Sequence, residues 1–455
     1  MATEAVVGEV PDTWEYTTLG EACSRGGGDI QTGPFGSQLH ASDYVPDGIP
    51  SIMPQNIGDN RVIADGIARI TKEDAERLGR YRVRPGDIVY SRRGDVERRA
   101  LIGQTENGWL CGTGCLRIRF GDGHLSPTYA SYYLGDLRVR EWIVRHAHGA
   151  TMPNLNTGIL SDLPFVIPPI REQEAIGSVL GTLDQRIHLN QRMNETLEAI
   201  AQALYKSWFV DFDPVHAKSE GREPGLSKTI ADLFPDAFDS GEFGGIPRGW
   251  QVRPIGDLAT VTGGGTPSTK EGSYWEGGTH CWATPKDLSS LKTPVLLKTE
   301  RRVTDAGLAQ IASGLLPAGT VLMSSRAPIG YLAVAEVPVA INQGFIAMKA
   351  APGVSNLFLL RWAEWAHDLI VSRANGSTFL EISKSNFRPI PVTTPPDRLM
   401  ESFDAMVRPL HLRMVANEQS SKTLVDLRDA LLPKLISGEI RITEVDRILG
   451  VRSTN

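Results

Sequence analysis

The densest group of side chains that could bind an acidic ligand lies between Tyr81 and Ala100, in the segment YRVRPGDIVYSRRGDVERRA. It holds six arginines against three acidic residues. An arginine fork can donate two parallel hydrogen bonds to a phosphate or to the edge of a guanine, so this composition favours a nucleic-acid contact. A solvated charged hairpin is the open alternative. The predicted contact residues of this segment are Ser91, Arg92, Arg93, Arg98 and Arg99.

Three further loops carry polar side chains suited to base edges and phosphates. They read QTGPFGSQL from Gln31, GGGTPSTKEGSYW from Gly263 and SSRAPIG from Ser324. Glycine allows such loops to approach a partner closely. The predicted DNA-binding residues in these loops are Gln31, Thr32, Phe35, Ser37, Thr266, Ser268, Lys270, Tyr274, Ser324, Ser325 and Arg326.

Sequence motifs for catalysis are missing from the chain. There is no Gly-Lys-Ser/Thr phosphate loop, no Asn/Asp-Pro-Pro-aromatic tetrapeptide for methyl transfer to an amino group, and no convincing nuclease cluster of carboxylates and lysine. Cys111 and Cys115 flank GTG, but no second pair follows at zinc spacing, so free thiols in a strand region are predicted. The sequence predicts no catalytic residue, no metal ligand and no cofactor bound by this chain.

Length and composition are those of a globular protein with two to four domains. The 455 residues are 41% hydrophobic and 22% charged, and the net charge of -6 argues against a uniformly basic nucleic-acid binder. The start has no signal-peptide pattern, no apolar stretch could span a bilayer, and four cysteines fit a reducing compartment. A cytoplasmic location and no membrane partner are therefore expected.

The chain repeats itself. VPDTWEYTTLGEACSRGGG from Val10 aligns with IPRGWQVRPIGDLATVTGGG from Ile246, and RPGDIVYSRRG from Arg84 aligns with LPAGTVLMSSRAPIG from Leu316. HGATMPNLN from His148 then aligns with NGSTFLEIS from Asn375, so the order is kept. Gly, Pro and short β-branched runs fill most of each copy, which predicts two mixed α+β domains in tandem.

Each copy ends in a Pro-Pro pair followed by apolar residues at alternating steps of four and three, the pattern of a coiled-coil seam. A helix from Arg171 to Phe209 is predicted, and its counterpart lies 227 residues later. Asn190 and Asn417 occupy equivalent seam positions, which favours antiparallel pairing about a pseudo-two-fold axis; separate packing of each helix on its own domain is the alternative. Pro409 should kink or delay the second helix. The predicted seam residues are Ile176, Leu180, Leu183, Ile187, Asn190, Leu197, Leu204, Phe403, Val407, Leu410, Met414, Asn417, Leu424 and Leu431.

These patterns divide the chain into five predicted segments. They are a first globular domain at 1–168, a central helical spacer at 169–212, a polar linker at 213–245, a second globular domain at 246–394 and a C-terminal helical spacer at 395–440.

Almost the whole chain resembles the specificity subunits of Type I restriction-modification systems. The likeness is strongest in TMPNLNTGILSDLPFVIPPIREQEAIGSVLGTLDQRIHLNQRMNETLEAIAQALYKSWFVDFDPVHAK, and continues in GREPGLSKTIADLFPDAF and IPRGW. The resemblance implies two target-recognition domains separated by two long helices that pair as an antiparallel coiled coil. The second copy departs from the family at TTPPDRLMESF, which replaces IPPIREQEAI.

The resemblance also implies a function. Such a chain reads an asymmetric bipartite site on double-stranded DNA and binds two methyltransferase subunits, and restriction subunits can join them. S-adenosylmethionine, ATP and Mg would then belong to partner subunits. Two alternatives stay open: a single-chain DNA methyltransferase or nuclease with its own recognition module, and a coiled-coil adaptor without a DNA role.

Overall fold

The computed structural model describes residues 6–149, 152–241, 244–376 and 380–441. The chain forms two compact units. Unit 1 extends to Ile187 and resumes at Thr423, and unit 2 comprises His188–Lys422. One of the predicted sequence matches, that of the segment from His148 with the segment from Asn375, falls partly outside the described residues.

Unit 1 combines short strands with short helices. Its strands are β1 (Glu15–Thr18), β2 (Gly27–Thr32), β3 (Tyr44–Val45), β4 (Ile49–Ile52), β5 (Asp59–Asn60), β6 (Arg69–Ile70), β7 (Ile88–Ser91), β8 (Arg99–Leu101), β9 (Leu110–Cys111), β10 (Cys115–Gly121) and β11 (Pro164–Ile167). Its short helices are α1 (Leu19–Arg25), α2 (Lys72–Arg77), α3 (Pro127–Tyr133), α4 (Leu137–His146) and α5 (Thr157–Ser161). The long helix α6 (Ile170–Phe209) begins in unit 1 and ends in unit 2.

Unit 2 contains the same kinds of element. Its strands are β12 (Phe238–Gly241), β13 (Gly244–Pro247), β14 (Gln251–Pro254), β15 (Ala259–Gly263), β16 (His280–Ala283), β17 (Val295–Leu296), β18 (Arg301–Val303), β19 (Val321–Ser325), β20 (Ile329–Ala335), β21 (Val339–Ile341), β22 (Phe345–Ala350) and β23 (Pro391–Thr394). Its short helices are α7 (Asp213–Ser219), α8 (Lys228–Ala231), α9 (Ile255–Leu258), α10 (Pro285–Ser289), α11 (Asp305–Leu308), α12 (Asn356–Trp365), α13 (His367–Ser372) and α14 (Lys384–Phe387). The long helix α15 (Asp397–Ile436) begins in unit 2 and ends in unit 1.

The two units share one strand topology. The five-stranded sheet of unit 1 has the order β2-β10-β7-β8-β5, and that of unit 2 has the order β15-β22-β19-β20-β17. Strand β4 pairs antiparallel with β6 and parallel with β9, just as β16 pairs antiparallel with β18 and parallel with β21. The α+β tandem repeat predicted from the sequence is therefore confirmed.

The long helices begin where the proline pairs predict. Helix α6 follows Pro168 and Pro169, whose missing N–H groups would have had no partner in a first helical turn. It spans Ile170–Phe209, one residue more than predicted. Among the described residues, no helix combines the length and apolarity needed to cross a bilayer.

The predicted seam side chains are all buried or half-buried. In unit 2 the Tyr205 and Phe403 rings lie 6.0 Å apart, and Leu197 packs in one cluster with Met414. In unit 1 Arg428 donates to Asp184 across 2.8 Å. As residue numbers increase along α6, the numbers of the contacting residues on α15 decrease. The helices therefore pair antiparallel within each unit, and the alternative of separate packing is wrong.

The polar positions of the seam bind one another in unit 2. Asn190 donates to the Ser421 hydroxyl at 3.1 Å, and Asn417 donates to the side-chain oxygen of Asn194 at 2.8 Å. Asn194 in turn donates to Glu418 at 2.9 Å. Since buried amides without partners are costly, this network favours one register over slipped ones.

Pro409 does not interrupt the second helix. Helix α15 continues through it from Asp397 to Ile436, so the predicted delay is wrong. A proline removes one backbone hydrogen bond, but the seam residues on either side, Val407 and Met414, are buried. Their burial stabilises the helix where its backbone is weakened.

The segment 213–245, predicted to be a polar linker, contains secondary structure of its own. It forms α7, α8 and most of the β12–β13 hairpin, and its Val215 and Phe234 are buried. The Phe234 ring meets Trp208 of α6 edge-on at 5.1 Å. Leu226, Ile230 and Leu233 pack against the same core cluster, so described apolar residues of this charged segment contribute to the core of unit 2.

A buried ion cluster joins α12 of unit 2 to α6. Arg361, whose side chain is 3% exposed, pairs with Glu198 of α6 and with Glu364 at 2.7 Å. Burial raises the pKa of Glu364 to about 7, because desolvation outweighs the attraction of Arg361.

The raised pKa predicts a pH-dependent stability of unit 2. The folded state holds a proton on Glu364 that the unfolded state loses near its ordinary pKa of 4.5, so the free energy of unfolding should fall as pH rises from 4.5 to about 7. We expect Glu364→Gln to flatten this fall by on the order of 2 kcal/mol. Urea unfolding of both proteins at about pH 5 and about pH 8 measures it, and parallel pH profiles would contradict it.

Candidate nucleic-acid interface

The arginine-rich segment predicted to contact nucleic acid includes the tip of a hairpin in unit 1. Residues 92–98 connect β7 to β8. The Arg92 N–H donates to the Gly114 carbonyl at 2.8 Å, and the Leu155 N–H donates to the Arg92 carbonyl at 2.8 Å. Because the backbone is held on both sides, the tip presents its side chains from a fixed base.

A second predicted loop lies beside this hairpin. The guanidinium of Arg92 is 5.9 Å from the centre of the Phe35 ring, which is 53% exposed. The loop follows β2 and passes close to the β9–β10 turn: a Cβ on Gly33 would lie 2.1 Å from the Gly112 carbonyl oxygen. Glycine at position 33 therefore permits the close approach of this loop to the β9–β10 turn, and Phe35 of the loop lies beside Arg92.

The arginines of the hairpin differ in their electrostatic surroundings. Arg98 is neutralised by Asp95 at 2.8 Å. Within the described residues, Arg92 and Arg93 form no ion pair, and Arg93 is exposed. These two side chains are the ones that retain charge and donors for an acidic ligand.

Unit 2 places its predicted loops in the same topological position. The Ser325 N–H donates to the Gly344 carbonyl at 2.8 Å and the Ile382 N–H donates to the Ser325 carbonyl at 3.0 Å, matching Arg92 in unit 1. Thr266 contacts Gln343 of the β21–β22 turn. The structure thus brings together segments far apart in sequence.

The side chains at the unit 2 site are of a different kind. Thr266, Ser268 and Lys270 are exposed, while Tyr274 is half-buried. Arg326 lies 3.5 Å from Glu381, so its charge is partly offset. The loop between β19 and β20 is three residues long, 326–328, against seven, 92–98, in unit 1.

Four predicted contact residues are buried and build the hairpins instead. Ser91 donates to the Arg93 carbonyl at 3.0 Å, and Ser324 accepts from the Tyr331 N–H at 2.8 Å. Arg99 donates to the Ser131 carbonyl at 2.6 Å and is 7% exposed, and Ser325 is 3% exposed. All four residues lie on sheet strands and are buried, so their side chains are not available to a ligand at the surface.

Two residues that the sequence did not single out lie beside the unit 2 loop. Arg301 of β18 stacks on Trp275, the residue after the predicted Tyr274. The tryptophan at the end of a polar loop could have indicated a contact site from the sequence. Its arginine partner lies 26 residues away (301 minus 275), and no local pattern joins them.

In the described part of the chain, no three His, Cys, Asp or Glu side chains are grouped to hold a metal ion. Cys111 and Cys115 are buried free thiols, and burial raises their pKa.

Comparison with known proteins connects this arrangement to one family. The family described as Type I restriction modification DNA specificity domain matches residues 11–199 and 247–398, which begin at the prolines that open the two repeats. The HindI specificity subunit of Haemophilus influenzae is 25% identical, covering 86% of this chain and 95% of that protein. The MjaIX specificity subunit of Methanocaldococcus jannaschii is 24% identical, covering 97% of each.

A solved structure shows a similar fold. The Type I restriction-modification S subunit from M. genitalium has a TM-score of 0.58 at 15% identity, covering 95% of this chain and 98% of that one. The family match covers more than half of the 455 residues. The chain therefore belongs to the Type I restriction-modification DNA specificity family, with one matching domain in each half of its sequence.

Proposed function

We propose that this chain is the non-catalytic specificity subunit that reads an asymmetric bipartite DNA site for a Type I restriction-modification complex. The observation that carries the proposal is the repeated loop set, which presents Arg92 and Arg93 in unit 1 and Thr266, Ser268 and Lys270 in unit 2. One topology with unlike loops suits two different half-sites. Phosphate contacts would position each unit and base-edge contacts would specify the sequence.

The partners follow from the same proposal. Two methyltransferase subunits bind this chain and supply S-adenosylmethionine-dependent adenine methylation, and restriction subunits with ATP and Mg are candidate further partners. The long helices are the proposed spacer between the two recognition domains. Because the proposed substrate is cellular DNA, we place this activity in the cytoplasm.

Methylome sequencing of cells with and without this chain tests the proposal. We expect methylated adenines in a bipartite motif only when the chain is present, with two unlike half-sites around unread base pairs. A palindromic motif would contradict the assignment of different half-sites to the two units. Methyl transfer from labelled S-adenosylmethionine to DNA by the purified chain alone would contradict the non-catalytic role.

The hairpin arginines provide a residue-level prediction. Arg92→Ala and Arg93→Ala should each weaken DNA binding, and loss of a bidentate guanine contact should relax one half-site position by about 1 to 3 kcal/mol. Binding of the assembled complex to variant sites at constant salt measures this, because phosphate contacts are salt-dependent.

Arg25→Ala is the matched control for these variants. Arg25 is exposed and paired with Glu15, and it precedes β2, whose far end leads into the Phe35 loop. The Arg25→Ala variant therefore removes one positive charge from unit 1, as the hairpin variants do, but at the opposite end of β2. Equal effects of all three variants would assign the loss to net charge and not to the hairpin.

A further inference from the structure

Arg301 is held against two tryptophans in unit 2. Its guanidinium carbon lies 3.6 Å from the centre of the Trp275 ring and 5.4 Å from that of Trp282. The two indole rings are 5.0 Å apart and nearly perpendicular, at 81°. When a planar guanidinium stacks on the face of an indole ring, its N–H groups lie in a plane parallel to the ring. They therefore point sideways, away from the stack, where a ligand can accept from them.

The tryptophans that hold Arg301 are themselves fixed. Trp275 donates from Nε1 to the Ser268 carbonyl at 3.0 Å, and Trp282 donates from Nε1 to the Gly265 carbonyl at 3.1 Å. Trp282 is only 3% exposed. Both carbonyls belong to the loop that carries Thr266, Ser268 and Lys270, so the Arg301 platform is part of the unit 2 interface.

The guanidinium donors of Arg301 find no acceptor among the described residues. Arg301 is exposed, and within the described residues no carboxylate pairs with it and no backbone carbonyl accepts from its side chain. Its neighbour Arg302 differs, because it donates to the Thr279 carbonyl at 3.2 Å. A fixed, exposed and unpaired guanidinium is prepared for a ligand with two adjacent acceptors.

We propose that Arg301 is a specificity-determining residue, which donates two hydrogen bonds to the major-groove edge of a guanine in the half-site read by unit 2. This inference rests on the proposed DNA-reading function and deepens it. An arginine fork can also bind a phosphate, but a phosphate accepts donors from many directions, and an exposed lysine such as Lys270 can supply that charge. A fork whose plane is set by an indole ring instead suits the in-plane N7 and O6 acceptors of guanine.

Among the residues of unit 1 that the structure describes, this platform has no counterpart. Trp282 is the next-to-last residue of β16, and the equivalent residue of β4 is Ser51. The backbone N–H of Ser51 donates to the Ala68 carbonyl, so Ala68 lies opposite Ser51 in unit 1 as Arg301 lies opposite Trp282 in unit 2. The guanine contact is therefore specific to the half-site of unit 2.

The test is methylome sequencing of cells whose only specificity chain is wild type, Arg301→Ala, Arg301→Lys or Arg302→Ala. We expect Arg301→Ala to relax one guanine position, with discrimination falling about 5- to 150-fold, and to leave the other half-site intact. Arg301→Lys keeps the charge but loses the fork, so it should relax the same position and remain informative if the alanine variant fails to accumulate. Arg302→Ala should leave the motif unchanged.

Three results would overturn the inference. They are an unchanged motif with Arg301→Ala, uniformly weaker methylation without loss of any base preference, and relaxation in the half-site that Arg92→Ala or Arg93→Ala alters. The second result would make Arg301 a phosphate contact. If the wild-type chain directs no motif at all, the proposed function fails, and that outcome is distinct from each of these.

Discussion

Replacing Phe403 with alanine should lower the free energy of unfolding of unit 2 by about 3 to 5 kcal/mol, the range for deleting a fully buried aromatic ring. Phe403 of α15 is 0% exposed. The centre of its ring lies 5.0 Å from that of Phe209 and 6.0 Å from that of Tyr205, both on α6. It also lies 6.4 Å from Phe358 of α12. One deletion therefore leaves a cavity where both long helices meet the globular part of the unit.

Met406→Ala on the same helix is the control for this deletion. Met406 is 37% exposed, so its loss should change stability by less than about 1 kcal/mol. Urea unfolding followed by tryptophan fluorescence compares the two variants. Similar destabilisation by both would contradict a special contribution of packing at Phe403 to the stability of unit 2.

Removing Arg361 should have an effect of similar size for an electrostatic reason. Arg361→Ala leaves Glu198 and Glu364 close together without their cation, and breaking a buried ion pair from one side costs about 3 to 5 kcal/mol. The three side chains are 3%, 16% and 24% exposed, so solvent screens the remaining repulsion only in part. Urea unfolding at about pH 8, above the pKa of Glu364 in the wild-type protein, measures the loss.

A double variant separates charge from packing at this cluster. Arg361→Ala combined with Glu364→Gln removes one of the two uncompensated carboxylates and should recover at least half of the lost stability. Arg398→Ala, at an exposed position of α15, should cost less than about 0.5 kcal/mol. If the double variant is no more stable than Arg361→Ala, the arginine contributes by filling space.

The sequence by itself determined the features that repeat at a fixed spacing. Seam residues such as Leu180 and Met414 recur in steps of three and four, so one side of each long helix could be identified without a structure. Matching prolines and glycines marked the two copies, and the pairing of Asn190 with its seam partners followed from equivalent positions. These signals are local, because helical periodicity and turn chemistry depend on neighbours in the chain.

Only the tertiary structure decided which polar residues are available to a ligand. Arg92 and Arg99 stand in one arginine-rich segment, yet Arg99 turns inward to Ser131 while Arg92 meets Phe35 at the surface. Val215 and Phe234 of the polar segment lie in the core of unit 2, and the pairing of β18 with β16 places Arg301 opposite Trp282, where it also lies over the Trp275 ring. Burial and stacking depend on contacts between residues distant in sequence, and strand pairing sets those contacts.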